Sequence, residues 1–299
     1  MSLPFDPKRS QLYTVAELLL DVVEEGNKTR DFMISDYYVR TNRDRADDFQ
    51  VLKDRNEHDS HVLINARRYI TGKRVIAFMG GHSLLRDSPG YASCARIARA
   101  LSRKGFLIMT GGGPGAMEAA MLGVYLAEEH DSALDVALVE LRTAPSHLDR
   151  NWLAAALRVT TRYPRSEAAK QRYPSLGVST WLYSSEPSNI FSTYLAKLFS
   201  NGVREDFLTN EAREAVVFFP GSLGTMQEMF MVAALVHYKF TPCTLHMYDE
   251  DGFWDRTIPV MPLLRQLALK GGWSGNLQMH LREKDVIEAI TNEAPQASL

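Results

Sequence analysis

Three times this sequence runs from a short apolar stretch into a glycine-rich turn and then into a segment of helical period. The three units span residues 75–104, 106–129 and 215–238. In the first, Val75–Met79 gives way to Gly80–Gly81–His82–Ser83. Ser88 and Pro89 then mark a helix start, with proline at the first helical position. Cys94, Ile97, Ala98 and Leu101 recur on one face, and Gly105 closes the helix. In the second, Phe106–Met109 enters Gly111–Gly112–Gly113–Pro114–Gly115, followed by a helix bearing Met117, Met121, Leu122 and Tyr125. In the third, Ala215–Phe219 enters Pro220–Gly221–Ser222–Leu223–Gly224–Thr225, followed by Met226, Met229, Phe230 and Ala233. Continuous apolar runs of this length suit strands buried on both faces. Their alternation with helices predicts an α/β Rossmann-like fold: a doubly wound parallel sheet with right-handed crossovers. Ligands of such sheets bind outside the carboxyl ends of the strands, near a topological switch, and all three glycine loops belong to that edge.

The flanking sequence divides less sharply. Residues 1–72 read as a helical N-terminal extension, and 73–299 as the Rossmann-like domain with an insertion at about 131–173. Thr14 and Glu17 have capping-box spacing. Val15, Leu18, Leu19, Val22 and Val23 then form one stripe, with Gly26 as the stop. The charged stretch 41–60 reads as a solvated helix or loop. In the insertion, Arg158, Arg162, Arg165, Lys170 and Arg172 form either a solvated face or a flap carrying positive charge toward a phosphate. Residues 175–182 read as a strand. Glu186–Pro187–Ser188–Asn189 reads as a turn opening a helix with Ile190, Tyr194, Leu195 and Leu198. Thr244–Tyr248 is a further strand. A helix from Gly252–Phe253–Trp254 to near Gly271–Gly272 and a last one with Val286, Ile287 and Ile290 complete the chain.

Composition excludes several classes. A formal net charge of −2 supplies no overall field for nucleic acid or an anionic membrane. No apolar run approaches the ~18 residues of a membrane span. Cys94 and Cys243 make neither a disulfide framework nor a zinc spacing, and residues 1–10 hold no secretory apolar core; a reducing cytoplasm is therefore expected. No histidine pair has metal-ligand spacing, and no nucleophile elbow is present.

The glycine loops carry the chemistry. They aim backbone N–H groups and a positive helix end at an anion. Gly111–Gly115 fits neither the dinucleotide fingerprint nor the Walker A loop, which argues against an NAD enzyme and an ATPase. Glu118 and Glu228 each lie about one turn into the helix after their loop. An acid there can serve the helix alone, but two after matching loops predict a shared site. His82 either donates to a ligand or caps. Arg204 alone reads as a surface arginine.

Taken together, Gly111–Glu118 and Pro220–Glu228 resemble the paired motifs of the Lonely Guy (LOG) phosphoribohydrolase family, whose members were long mislabelled as lysine decarboxylases. Tyr248–Asp255 resembles that family's strand-to-helix passage, and the resemblance covers about residues 74–289. The Glu186–Asn189 turn resembles the long bacterial branch, the pyrimidine/purine nucleotide 5′-monophosphate nucleosidases. The resemblance implies hydrolysis of the N-glycosidic bond of a nucleoside 5′-monophosphate, giving free base and ribose 5-phosphate, by a homodimer without cofactor or metal. It places catalysis on Arg204 and Glu228. It places nucleotide binding on Gly80, Gly81, His82, Ser83, Gly111, Gly112, Gly113, Gly115, Met117, Glu118, Glu186, Asn189, Gly221, Ser222, Leu223, Gly224 and Thr225. Phosphate is expected on the N–H groups of Gly221–Thr225 and the Thr225 hydroxyl. Two residues depart from the family pattern: Ser222 replaces a glycine, and Glu205 replaces the lysine that follows the arginine in short members. These motivate an alternative, a nucleotide-binding sensor or carrier without turnover.

Overall fold

Short apolar strands, most of them wholly buried, set the architecture. The computed structural model describes residues 3–20, 22–23, 28–183 and 187–292. The N-terminal part holds a π-helical turn at Ala16–Leu20 and two antiparallel two-residue strands, β1 (Val22–Val23) and β2 (Lys28–Thr29). Helices α1 (Arg30–Arg40) and α2 (Phe49–Ile70) follow. Then come β3 (Val75–Met79), α3 (Pro89–Arg103), β4 (Leu107–Thr110) and α4 (Ala116–Tyr125). Three helices fill the predicted insertion: α5 (Ser132–Leu141), α6 (Trp152–Arg162) and α7 (Glu167–Arg172). The chain continues through β5 (Ser175–Thr180), β6 (Tyr194–Leu198), α8 (Asn201–Asn210), β7 (Ala215–Phe218) and α9 (Leu223–His237). It ends with β8 (Thr244–Tyr248), α10 (Met261–Gly271), β9 (Leu277–His280) and α11 (Glu283–Asn292).

Strands β3 to β9 form a seven-stranded parallel sheet in the order β6-β5-β4-β3-β7-β8-β9. From β3 the chain winds outward through β4, β5 and β6, then returns to place β7 against β3 and winds the other way. The switch therefore falls between β3 and β7, where two glycine loops emerge side by side. The Gly81 amide donates to the Pro220 carbonyl at 3.0 Å. This is the α/β Rossmann-like, doubly wound sheet that the strand–loop–helix repeats predict.

Alternation along the strands distributes two cores. Val75, Ala77 and Met79 face a cluster completed by α1, α2, α8, α9 and α10, while Ile76 and Phe78 face one completed by α3 to α6 and α11. The N-terminal extension is thus one layer of the sandwich: Ile34, Tyr38, Val62 and Ala66 are fully buried in the sheet's own core. Tyr13 exchanges backbone hydrogen bonds with Leu195 at 3.0 and 2.9 Å, which covers the β6 edge. Among the described residues no helix is long and apolar enough to cross a membrane.

Several sequence expectations are corrected. Residues 194–198 form a strand rather than the helix read from Ile190, Tyr194, Leu195 and Leu198. Pairing with β5 from Leu176↔Tyr194 to Thr180↔Leu198, together with the Tyr13 bridge, overrides a short apolar pattern that fits either period. The stripe Val15–Val23 is a π-helical turn and a strand; the Thr14 hydroxyl does accept from the Glu17 amide at 3.1 Å, and Gly26 lies outside the described residues. The charged stretch 41–60 is not solvated throughout. It enters α2, where Arg55, His58 and Asp59 are buried. Asp59 accepts from the Phe199 and Ser200 amides at 2.9–3.1 Å and so fixes the entry to α8. Strand β9 was not anticipated.

Candidate active site

At the switch, the carboxyl ends of β3, β4, β5, β6 and β7 surround a cleft of about 280 Å³. Its floor is built by glycines because backbone must pass against backbone there. A Cβ on Gly221 would lie 2.1 Å from Thr225 Oγ1 and 2.9 Å from the Gly81 nitrogen. Only glycine lets the first turn of α9 fold over this loop. Helix α9 starts after Ser222, which has φ −108° and makes no side-chain cap. The serine standing where the resembled motif has glycine is therefore in ordinary extended backbone. The first N–H groups of α9 have no intrahelical acceptors and no side-chain cap at their mouth.

The opposite lip is Gly111–Gly112–Gly113. Gly112 has φ +70°, and a Cβ there would press on Ser179 and Gly177 at 3.0–3.2 Å. Asn189 supports this loop from behind: its amide nitrogen donates to the Gly112 carbonyl at 3.0 Å and its Nδ2 to the Gly113 carbonyl at 3.2 Å. Asn189 is fully buried, so it shapes the loop without lining the cleft.

Arg204, one turn into α8, and Glu228, in the second turn of α9, meet across the cleft with Nη1–Oε1 at 2.8 Å. Burial raises the Glu228 carboxyl above the ordinary range, the Arg204 charge opposes this, and Glu205 adds to it. Arg204 Nε is buried and has no partner among the described residues. Glu205 stands 3.8 Å from Arg204 Nη2 and accepts from Asn201 Nδ2 at 2.8 Å and from Gln227 Nε2. The departure at position 205 therefore places a second, amide-held carboxylate beside the pair.

The cleft brings together Gly80, Gly81, His82, Gly111, Gly112, Gly113, Met117, Arg204, Ser222, Gly224, Thr225 and Glu228. Gly221 lies beneath Thr225. Leu223 points outward and is 85% exposed. Ser83, Gly115 and Glu118 border a separate cavity behind the His82 loop, and Glu186 lies outside the described residues. Glu118 is a correction. Its carboxylate turns away from the cleft to the Arg86 guanidinium, at 2.5 and 2.9 Å, and to the Tyr91 hydroxyl at 2.9 Å. The two glutamates are thus not a matched pair of cleft acids.

Sequence reasoning missed the β5–β6 wall: Ser179, Thr180, Tyr183, Pro187, Ser188 and Lys197. Reading β6 as a helix hid Lys197, which alternation along a strand would have placed. The basic cluster of the insertion forms no flap, for none of its residues lines the cleft. Arg158 pairs with Glu140 and Lys170 with Glu167. Arg165 donates to Thr193 and to the Ala169 and Tyr173 carbonyls. No group of three or more histidine, cysteine or carboxylate side chains suited to a metal occurs among the described residues.

The fold and cleft are those of an α/β protein with a ligand edge at a Rossmann-type switch. Residues 163–287 match a family model described as "Possible lysine decarboxylase". That span holds Arg204, Glu228 and the Pro220–Thr225 loop; the Gly80–Gly81 and Gly111–Gly113 loops lie before it. No curated protein matches the chain. Among solved structures it is similar to the molybdenum cofactor binding protein of the phototrophic bacterium Rippkaea orientalis (14% identity, 74% of this chain and 97% of that one, TM-score 0.43). It is also similar to the molybdenum cofactor carrier protein of Chlamydomonas reinhardtii (14%, 73% and 96%, TM-score 0.42). A third similar structure is TM1055 (16%, 73% and 98%, TM-score 0.44).

Proposed function

We propose that the protein hydrolyses the N-glycosidic bond of nucleoside 5′-monophosphates, releasing free base and ribose 5-phosphate. The observation that carries this reading is the Arg204–Glu228 pair, at 2.8 Å, in the same cleft as the uncapped start of α9 and the Gly111–Gly113 lip. The resemblance of these motifs to the LOG phosphoribohydrolases supplies the reaction. The match of residues 163–287 to the lysine-decarboxylase-labelled family agrees with it.

The phosphate sits on the N–H groups of Gly221 to Thr225 with the Thr225 hydroxyl, and the Gly111–Gly115 loop holds the ribose or the other side of the phosphate. Leaving of the base builds positive charge on the sugar ring, as in glycoside hydrolysis. Glu228, ionised, faces that charge and orients the attacking water. Arg204 holds Glu228 in place and directs its remaining donors at the substrate. A preorganised group of this kind contributes about 10²–10³ in rate.

The test is direct. Purified protein incubated with AMP, GMP, CMP and UMP is expected to release ribose 5-phosphate from at least one of them. Binding of these nucleotides with no release from any would overturn the hydrolase reading and leave a sensor or carrier, the alternative that Ser222 and Glu205 motivate.

A further inference from the structure

Once phosphate is assigned to the α9 end and bond cleavage to Arg204 and Glu228, the β5–β6 side of the cleft has no role. That side is polar. It presents the Ser179 and Thr180 ends of β5, the Tyr183 ring, Ser188, and Lys197 from the penultimate position of β6. Lys197 is 3% exposed, and its ammonium is positioned rather than free. It lies 2.8 and 3.0 Å from the two Asp31 oxygens and 2.8 Å from Ser188 Oγ. Asp31 comes from the first turn of α1, and it also accepts from Trp181 Nε1 at 2.8 Å and from Ser188 Oγ at 3.0 Å. The Asp31 carboxylate is thus filled by three side-chain donors. Lys197 spends two of its three N–H groups on Asp31 and Ser188 and keeps one. Ser179 Oγ is buried and has no partner among the described residues.

We infer that this wall is the subsite for the nucleobase, and that Lys197, positioned by Asp31 of the N-terminal extension, selects bases bearing a carbonyl oxygen. The inference rests on the hydrolase reading for the orientation of the nucleotide. Charge decides the class of group received. Asp31 neutralises Lys197, so the wall carries no net positive charge for a second phosphate, but it still offers hydrogen-bond donors. The 6-carbonyl of guanine or hypoxanthine, or the 4-carbonyl of uracil, satisfies the remaining Lys197 proton. The exocyclic amine of adenine sets donor against donor and leaves a buried polar group unpaired, which discriminates more strongly than a missing contact. The exposed Tyr183 ring stands at the same wall and provides a face for stacking. The N-terminal extension, a layer of the core by packing, becomes part of the specificity apparatus through one carboxylate.

The experiment compares wild type, Lys197→Met, Lys197→Arg, Ser179→Ala and Asp31→Asn, each checked for fold by circular dichroism. Calorimetric affinities for AMP, GMP, UMP and ribose 5-phosphate are measured alongside kcat and KM. Wild type is expected to favour GMP and UMP over AMP at least tenfold. Lys197→Met and Asp31→Asn are expected to bring that ratio within threefold, mainly through KM, with ribose 5-phosphate binding unchanged; Lys197→Arg restores a preference. A ratio unmoved in folded Lys197→Met, or a wild type that binds AMP as well as GMP, overturns the inference. If wild type releases no base, the hydrolase reading falls on its own, and the binding ratio still decides the subsite.

Discussion

Glu228→Gln is expected to lower base release by about 10²–10³ while leaving ribose 5-phosphate affinity within about twofold. Glutamine keeps the volume and an oxygen for the Arg204 hydrogen bond at 2.8 Å, so the cleft retains its shape. In the proposed reaction, what disappears is the negative charge facing a sugar ring that becomes cationic. Single-turnover release of ribose 5-phosphate reads the effect, and an unchanged rate would reject the role given to Glu228. On the proposed reading, the same carboxylate is expected to set the acid limb of the pH profile. Burial lifts it, Arg204 pulls it back, and Glu205 lifts it, with a net rise. In the proposed mechanism the ionised form acts, so activity is expected to fall at a higher pH on the acid side than an ordinary glutamate would give. Glu205→Gln removes one upward influence. It is expected to shift that limb to lower pH, and a shift in the opposite direction would contradict the assignment.

The parts legible in the sequence were those with local causes. The runs at Val75–Met79, Phe106–Met109 and Ala215–Phe219 read as buried parallel strands, and the glycine loops after each marked the ligand edge. Arg204 and Glu228 were placed by motif. What stayed hidden depends on tertiary pairing. Tyr194–Leu198 has no alternation strong enough to announce a strand; β5 on one side and Tyr13 on the other make it one. With it went Lys197 and the whole β5–β6 wall of the cleft. Asp31 lies 166 residues from Lys197 in sequence, and no spacing rule joins them. Glu118 failed in the opposite sense. Its position after a glycine loop matched that of Glu228, but its fate was decided by Arg86, an arginine in the following loop of an earlier unit that nothing local marks as buried.

That buried pair yields the largest expected effect on stability. Glu118 and Arg86 are 0% and 1% exposed, and Glu118 satisfies the Arg86 guanidinium on two nitrogens. The remaining Arg86 nitrogen donates to the Trp152 carbonyl at 2.9 Å and the Ala144 carbonyl at 3.3 Å, with the guanidinium 4.4 Å over the Trp152 ring. Burial alone would lower the Arg86 pKa; the Glu118 hydrogen bonds and charge more than reverse it. The Tyr91 hydroxyl, donating to the same carboxylate, is pushed well up by burial and by Glu118. Glu118→Ala strands a guanidinium in the apolar layer between α3, α4 and α6 and is expected to cost about 3–5 kcal/mol. Urea unfolding followed by circular dichroism measures the loss. The double variant Arg86→Met with Glu118→Leu removes both charges and keeps most of the volume, so it is expected to recover most of that loss, because desolvating the pair offsets much of its Coulomb gain. It also separates structure from catalysis. The pair lies behind the His82 loop and not in the cleft, so a folded double variant is expected to retain base release within a few-fold. If Glu118→Ala stayed as stable as wild type yet lost turnover, Glu118 would belong to the active site after all.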